Sequence, residues 1–402
     1  MKQKNSLTKW IILLAVLVAV FVALLVLLLT LDDGNGEVTP QVTLSEALAK
    51  QRSLVLKSGE SVTLAVSDFQ EVSFTTSDNA VVSVDSAGKV SALKKGNAIV
   101  TVTCGGETTE IGVIVDGEGS MVDVSKLTPS VLFADMLLNA QTSIQGMAVD
   151  PVNNAVYFSQ GYGHDNYIPL TSDIMITKVI LKEGDNGEKT WSRDSWMRFS
   201  GSGKGHISLD NSGDGVKLWM ESNGTQMGYG TSVSLVDWED YAYGQDEYGQ
   251  TFHLNGPGNM YTPTSDAAND MIMVYDRTTK SYLVYDRSDI LDGKDTTYLT
   301  RIECAAHQQP EAGVDDSQGR YNASIRGFAL MNGYIYQFSG KSSIYVSVFD
   351  LNGNLQYCHR ITEFPDMENR MPAAISCVDG KVYVTVASGD STCYLANVWV
   401  FE

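Results

Sequence analysis

The feature that most constrains this chain is a strand–turn–strand unit that recurs along its carboxy-terminal two thirds. Thr142 to Phe158 reads T-S-I-Q-G-M-A-V-D-P-V-N-N-A-V-Y-F, Ala323 to Phe338 reads A-S-I-R-G-F-A-L-M-N-G-Y-I-Y-Q-F, and Met371 to Val386 reads M-P-A-A-I-S-C-V-D-G-K-V-Y-V-T-V. Gly203 to Met220 lies between the first two and has the same shape. In each, apolar runs flank a knot of Asn, Asp, Gly or Pro, the pattern of a buried hairpin. Asn332-Gly333 and Asp379-Gly380 are the two-residue turns hairpins favour, because both central positions need φ > 0. The intervals hold further strand pairs: DIMITKVIL with EKTWSRDSW, DMIMVYD with SYLVYD, and SIYVSVFD with LQYCHRI, the last turning at Asn352-Gly353. A repeat of about 40–55 residues made of antiparallel strands predicts propeller blades. Five are expected, near 140–200, 203–262, 263–303, 320–363 and 370–402, with Ser130 to Ala134 supplying the fourth strand of the last and closing the ring.

The rest of the 402 residues must therefore be accounted for by other modules, and composition narrows which. Hydrophobic residues make up 43% and charged residues 19%, which excludes a disordered chain. The 28 basic residues face 48 acidic ones, a formal charge of −20. A nucleic-acid binder needs a basic surface to displace counterions from phosphates, so no nucleic-acid partner is expected. Five cysteines, an odd number, do not make a disulfide framework.

Ile11 to Thr30 is an uncharged apolar run, long enough as a helix of about 1.5 Å rise per residue to cross a hydrocarbon core about 30 Å thick. Lys2, Lys4 and Lys9 precede it and Asp32, Asp33 and Glu37 follow, which puts the amino terminus inside and everything after Leu31 outside. A cleaved signal peptide is the rival reading; its apolar region is shorter and ends in a small-residue cleavage site, and the run here ends Leu-Leu-Leu-Thr-Leu-Asp-Asp. The expected layout is a cytoplasmic tail (1–9), a transmembrane signal anchor (10–31), a linker (32–52), a small β-sandwich (53–116), a second linker (117–127) and the propeller (128–402).

The sandwich is expected from period-two alternation broken by Ser-Asp-Asn, Ser-Ala-Gly and Lys-Lys-Gly-Asn. Its stretch from Phe74 to Val102, with Ser77-Asp78, Val84-Asp85, Gly88-Lys89-Val90 and Gly96 ahead of Ala98 to Val102, resembles bacterial immunoglobulin-like group 2 domains. That resemblance implies a spacer or adhesive stalk at a bacterial surface. In the repeat region, Ser143-Ile144-Gln145-Gly146, Asp173 to Ile176, Ser202 to His206, Leu218-Trp219-Met220-Glu221 and Ile325-Arg326-Gly327-Phe328 resemble the β-propellers of the teichoic-acid biosynthesis protein C, helveticin J and phage receptor-binding protein family. That likeness implies action at a bacterial envelope and no established reaction. Arg326 stands where the first repeat has Gln145, and residues 237–253 are an insertion.

Several groups of residues suggest chemistry. Asp210 to Glu221 fits the calcium-loop spacing, with Asp210, Ser212, Asp214 and Glu221 as oxygen donors, and makes calcium the one cofactor candidate. The flanks alternate as strands rather than helices, so an ordinary hairpin turn is the competing reading. His206 lies in the Gly-x-Gly-His element, and Glu221 is expected to face it across the hairpin as an acid/base partner. His164, His253 and His307 fall near blade ends and could converge on a central channel. Trp238, Tyr241 and Tyr243, in a loop rich in carboxylates, suit stacking on sugar rings or the pinning of that loop. Gln145, His206 and Arg326 complete the expected ligand contacts. There is no G-x-S-x-G elbow, P-loop, S-x-x-K or C-x-x-C. Cys377 and Cys393 either pair across the last blade or stay free thiols.

The expectation is an all-β protein: a transmembrane helix, an Ig-like sandwich and a five-bladed propeller. Its propeller binds envelope glycopolymer, teichoic acid or another glycan, or a surface protein. The alternatives are an envelope enzyme acting on a polyol-phosphate or glycan polymer, and a helveticin J-like bacteriocin. The charge of −20 would repel a phosphate polymer unless calcium bridges the two.

Overall fold

Alternation along the chain is realised as strands throughout, in a computed structural model that describes residues 43–48, 51, 53–117, 119–138, 142–162, 173–199, 205–210, 215–221, 231–238, 249–257, 261–276, 278–294, 297–303, 325–340, 343–364, 371–390 and 393–402. Two units divide after Ala47. The first shows the helical turn Leu44–Ala47, whose capping box closes with Glu46 N–H donating to Thr43 Oγ1 at 3.2 Å and Thr43 N–H to Glu46 Oε2 at 2.9 Å.

The second unit begins with the sandwich. One sheet orders Ser53–Leu56, Glu107–Val115, Gly96–Cys104 and Ser73–Thr76; the other orders Ser61–Thr63, Lys89–Ala92 and Val82–Val84. Val90, Val100, Val102, Ile111 and Val113 from both sheets are fully buried between them.

Residues 130–401 form five antiparallel sheets of four strands each. Sheet I comprises Ile144–Asp150, Ala155–Tyr162, Asp173–Glu183 and Lys189–Phe199. Sheet II comprises Ile207–Asp210, Lys217–Glu221, Ser232–Asp237 and Gln250–His253. Sheet III comprises Tyr261–Asp266, Met271–Asp276, Ser281–Asp286 and Thr300–Glu303. Sheet IV comprises Ile325–Met331, Tyr334–Gly340, Ile344–Asp350 and Leu355–Ile361. Sheet V comprises Met371–Val378, Lys381–Asp390, Cys393–Phe401 and, from the far end of the region, Ser130–Leu137. The strand expected at Ser130–Ala134 thus does complete the last sheet, with Phe133 opposite Val398.

Two parts of the expected fold class are corrected. Among the described residues no helix is long and apolar enough to cross a membrane, and the expected anchor, 10–31, lies outside them. In place of one clear five-bladed propeller there are seven small sheets, two in the sandwich and five in residues 130–401, each hydrogen-bonded only within its own group of three or four strands. Side chains, not ladders, join the groups. Tyr157 and Phe158 show how: consecutive residues of a strand point to opposite faces, and both are fully buried, Tyr157 against sheet II and Phe158 against sheet V. Each neighbouring pair of the five sheets shares an apolar core in this way. Their first strands also adjoin one another in the order I, II, III, IV, V and back to I.

Several of the acidic residues serve turns. Asp150 accepts from Val152 N and Asn153 N through Oδ1, both at 3.1 Å, and from Asn153 Nδ2 through Oδ2 at 2.7 Å. Asp266 repeats the device with Asn269, and Asp276 and Asp350 cap later turns. A carboxylate is a strong acceptor for turn N–H groups that would otherwise go unsatisfied, so these charges serve the fold. Asn332-Gly333 (φ 55° and 74°) and Asp379-Gly380 (φ 51° and 71°) have the expected left-handed pairs. At Asn352-Gly353 only the glycine does, because Asp350 has taken Asn352 N–H.

The sandwich is fastened to sheet III rather than held off it. Ile114 is buried in the same core as Met271, Met273 and Tyr282. A Cβ on Gly112 would fall onto the Leu299 carbonyl. Asn97 Nδ2 donates to Asp286 Oδ2 at 3.2 Å, and Lys95 Nζ donates to Asn269 Oδ1 at 2.9 Å. The segment after it is fixed as well. Val122 N–H donates to Tyr336 OH at 2.8 Å, Val124 N–H donates to Tyr357 OH at 3.1 Å, and Tyr357 OH donates to Val122 O at 2.7 Å.

Candidate functional site

The first strands of sheets I to V surround a cavity of about 150 Å³. A repeated local device sets their spacing. In sheets I, IV and V the ladder to the second strand slips by one residue near the start of the first, which leaves Gln145, Arg326 and Ala373 as the bulged residues. The residue that follows meets the neighbouring sheet. A Cβ on Gly146 would lie 2.8 Å from Gly205 O and Ile207 N, and one on Gly327 would lie 3.0 Å from Ile375 N. The Gln-Gly and Arg-Gly pairs of the repeat are therefore a bulge followed by a close backbone approach.

Hydroxyls dominate the polar part of the wall. Ser208 Oγ accepts from Ser265 N at 3.1 Å and from Thr264 Oγ1 at 3.2 Å, and Ser376 Oγ accepts from Val149 N at 3.2 Å. Ser265 Oγ is buried without a hydrogen-bond partner among the described residues. His206, 5% exposed, stacks on Phe328 with ring centroids 4.5 Å apart and planes 13° from parallel. Asp266 is buried, and that burial holds its carboxyl above the usual carboxylate range, against the opposing bonds from Asn269 and from Gly333 N at 3.3 Å. Burial also pushes the Cys377 thiol well up, helped by the nearby Asp266 charge. A thiol so placed is a weak nucleophile.

The residues expected from sequence are distributed unevenly about this cavity. His206 lines it. Glu221 is buried, and the hairpin register, which pairs Ile207 with Met220, puts it opposite His206; its Oε1 accepts from Thr262 Oγ1 at 2.6 Å. Asp210 is 3% exposed and receives Arg287 on both oxygens, Nε on Oδ2 and Nη2 on Oδ1 at 2.9 Å each, with Trp219 Nε1 on Oδ2 at 2.7 Å. Ser212 and Asp214, the other two calcium-loop positions, lie outside the described residues, as do Tyr241, Tyr243, His164 and His307. Among the described residues no group of three or more His, Cys, Asp or Glu side chains is placed to hold a metal ion. Trp238 is a core residue, edge-on to Tyr157 at 4.9 Å between sheets I and II. Arg326 is exposed and Gln145 half-buried. His253 bonds Ser232 Oγ through Nδ1 at 2.6 Å on the outer strand of sheet II. Cys377 is a free thiol.

Sequence reasoning missed Ser208, Ser265, Asp266 and Ser376. Asp266 left a trace, since Asp150-Pro-Val-Asn153 and Asp266-Ala-Ala-Asn269 share one spacing at the ends of two first strands.

Residues 37–113 match the family model of the bacterial Ig-like domain, group 2, which contains the whole stretch from Phe74 to Val102. No curated protein matches the chain. Among solved structures, it is similar to the tail fiber of Staphylococcus aureus phage P68, at 19% identity over 69% of this chain and 53% of that one, with a TM-score of 0.49. It is similar to Trypanosoma rangeli sialidase in complex with the inhibitor DANA, at 12% identity over 83% of this chain and 53% of that one, TM-score 0.36. A Bacteroides thetaiotaomicron protein of unknown function aligns at 12% identity over 87% of this chain and 96% of that one, TM-score 0.33. The chain spans about half the length of the fiber and sialidase chains. At such identities these are likenesses of fold.

Proposed function

We propose that this is a bacterial cell-surface binding protein whose five-sheet body recognises an envelope glycopolymer or a surface partner. The single observation that carries the reading is the group 2 Ig-like match at residues 37–113, in a domain docked directly on the body. The apolar run Ile11 to Thr30 and its flanking charges support the placement at the cell surface. A hydroxyl-lined cavity supports ligands that exchange hydrogen bonds rather than charge. Arg326 and Gln145, on the bulges of sheets IV and I, offer a guanidinium and an amide to the polymer. Teichoic acid is the ligand suggested by the family resemblance, and calcium is the ion that would reconcile it with a charge of −20.

The test is retention of the detergent-solubilised full chain on purified cell walls, before and after extraction of teichoic acid, with calcium or with a chelator. Retention that requires the polymer is the expected result. Equal retention on extracted walls would move the ligand to another wall glycan, and no retention under any condition would overturn the reading.

One observation favours an enzymatic second reading, the placement of Glu221 opposite His206 in the sheet II hairpin. In that case the pair would act on the same polymer as acid and base.

A further inference from the structure

The cavity enclosed by the five first strands has a wall whose chemistry selects among ligand classes. No lysine or arginine is among its lining residues, and Lys95 at the rim is engaged by Ala268 O and Asn269 Oδ1, so little there would compensate a phosphate or sulfate. Of its two carboxylates, Asp266 already accepts from Asn269 and Gly333 and Asp379 lies exposed in the turn with Gly380, and no metal-holding cluster exists among the described residues, so a cation finds little. A wholly apolar guest is also a poor match, because buried hydroxyls left without partners cost free energy. Ser265 Oγ is already in that position, buried and without a hydrogen-bond partner among the described residues. Ser208, Thr264 and Ser376 stand in the same wall, with His206 laid flat on Phe328 beside them.

We propose that this cavity binds one small uncharged polyhydroxylated molecule or group, a polyol or a single sugar unit, with Ser265, Ser208 and Ser376 exchanging hydrogen bonds with its hydroxyls and His206 against its carbon face. The rim is built from both parts of the chain. Lys95 of the Ig-like domain donates to Ala268 O at 3.4 Å, and Gly119 N–H donates to Asn332 O at 2.8 Å; Ala268 and Asn332 both line the cavity. The domain thus borders the mouth of the pocket. The inference rests on the surface-binding reading only for the source of the ligand, which would be the envelope; the pocket chemistry stands independently.

The test uses the detergent-solubilised full chain, titrated with glycerol, glucose and inositol, and with inorganic phosphate as the charged comparison. Binding is read from histidine ring resonances by NMR, the His206 signal being assigned with His206→Gln. The expected result is a saturable shift of that signal with an uncharged probe and none with phosphate. Ser265→Ala is expected to weaken the binding about tenfold, the loss of one to two hydrogen bonds to a buried ligand, while leaving the unliganded unfolding midpoint equal to or above that of wild type, since the hydroxyl removed has no partner there among the described residues. Thr264→Val serves as the second variant should Ser265→Ala fold poorly. Non-saturating effects alike in wild type and variants would be the general stabilisation polyols give any protein, and would overturn the proposal in favour of a water-filled cavity. A preference for phosphate would overturn it too. Wall retention without saturable probe binding would leave the surface-binding reading standing and remove this one; saturable probe binding without wall retention would do the reverse.

Discussion

Asp210 shows how one side chain can satisfy a motif and serve another purpose. Its spacing to Glu221 reads as a calcium loop, yet its two oxygens lie in a buried fork with Arg287, whose Nη1 is also 3.7 Å from Asp270 Oδ1. The fork joins sheet II to the helical turn Arg287–Leu291 that follows sheet III's third strand. Desolvating two ions costs much of what their attraction returns, but removing one partner leaves the other buried and unpaired. Asp210→Asn is therefore expected to destabilise the protein by about 3–5 kcal/mol, read as a lower urea midpoint. The double change Asp210→Leu with Arg287→Met should cost less than the single one, because no uncompensated charge remains. Equal loss in both would show that packing around Trp219, not the ion pair, sets the effect.

At the scale of the element, the repeat is a bulged strand followed by a residue packed closely against the neighbouring sheet, which leaves room for at most a small side chain. Sheets I and IV solve this with glycine and sheet V with Ala374. Gly146→Ala places a methyl 2.8 Å from two backbone atoms of sheet II's leading segment, where neither can move as a flexible side chain would. The expected loss is about 1–3 kcal/mol, the usual range for overpacking, measured by thermal or urea unfolding. Gly59→Ala meets nothing within 4 Å, but its φ of 89° makes it a control for backbone strain alone. A Gly146 variant no worse than wild type would mean that the first strands are not packed as closely as described.

For the molecule as a whole, two buried carboxyls each add a pH dependence to stability. Burial raises the affinity of Asp266 and Asp286 for protons above the ordinary carboxyl value of 3.8, and the Asp270 and Asp289 charges add to this at Asp286. Bonds from Asn269 and Gly333 at the first, and from Asp289 N and Asn97 at the second, oppose the shift without cancelling it. The folded chain thus holds these protons more tightly than the unfolded one. Their contribution to stability is full below the unfolded value and is lost as pH rises through the folded value. As pH is lowered from neutrality towards the ordinary carboxyl value of 3.8, the urea midpoint of wild type should rise more, or fall less, than that of Asp266→Asn, which cannot titrate. Parallel profiles for the two proteins would remove Asp266 from this role. Asp286 carries the same dependence to the Ig-like domain through Asn97.

What the sequence by itself determined follows from local rules. Period-two alternation required strands, the Asn-Gly and Asp-Gly pairs required left-handed turns at 332–333 and 379–380, and the Phe74 to Val102 pattern specified the Ig-like module. The recurring Ser-Ile-Gln-Gly and Ser-Ile-Arg-Gly announced that sheets I and IV begin alike. Only the tertiary structure decided which side chains meet, since contacts between sheets depend on neighbours distant in sequence. Ser208, Ser265 and Ser376 come from three different sheets and carry no motif. Trp238, which as a sequence suits a sugar platform, is drawn into a core by Tyr157, and Asp210 is claimed by an arginine from the next sheet. The Ig-like domain reads in sequence as a detached spacer, because nothing local shows that Ile114 and Gly112 belong to the packing of sheet III. Hydrogen bonding stops at the edge of each sheet, so how the five repeat sheets adjoin is set by side-chain packing that no strand announces. Local patterns fix backbone direction and turn geometry; burial, ion pairing and the cavity arise from packing, which no single segment encodes.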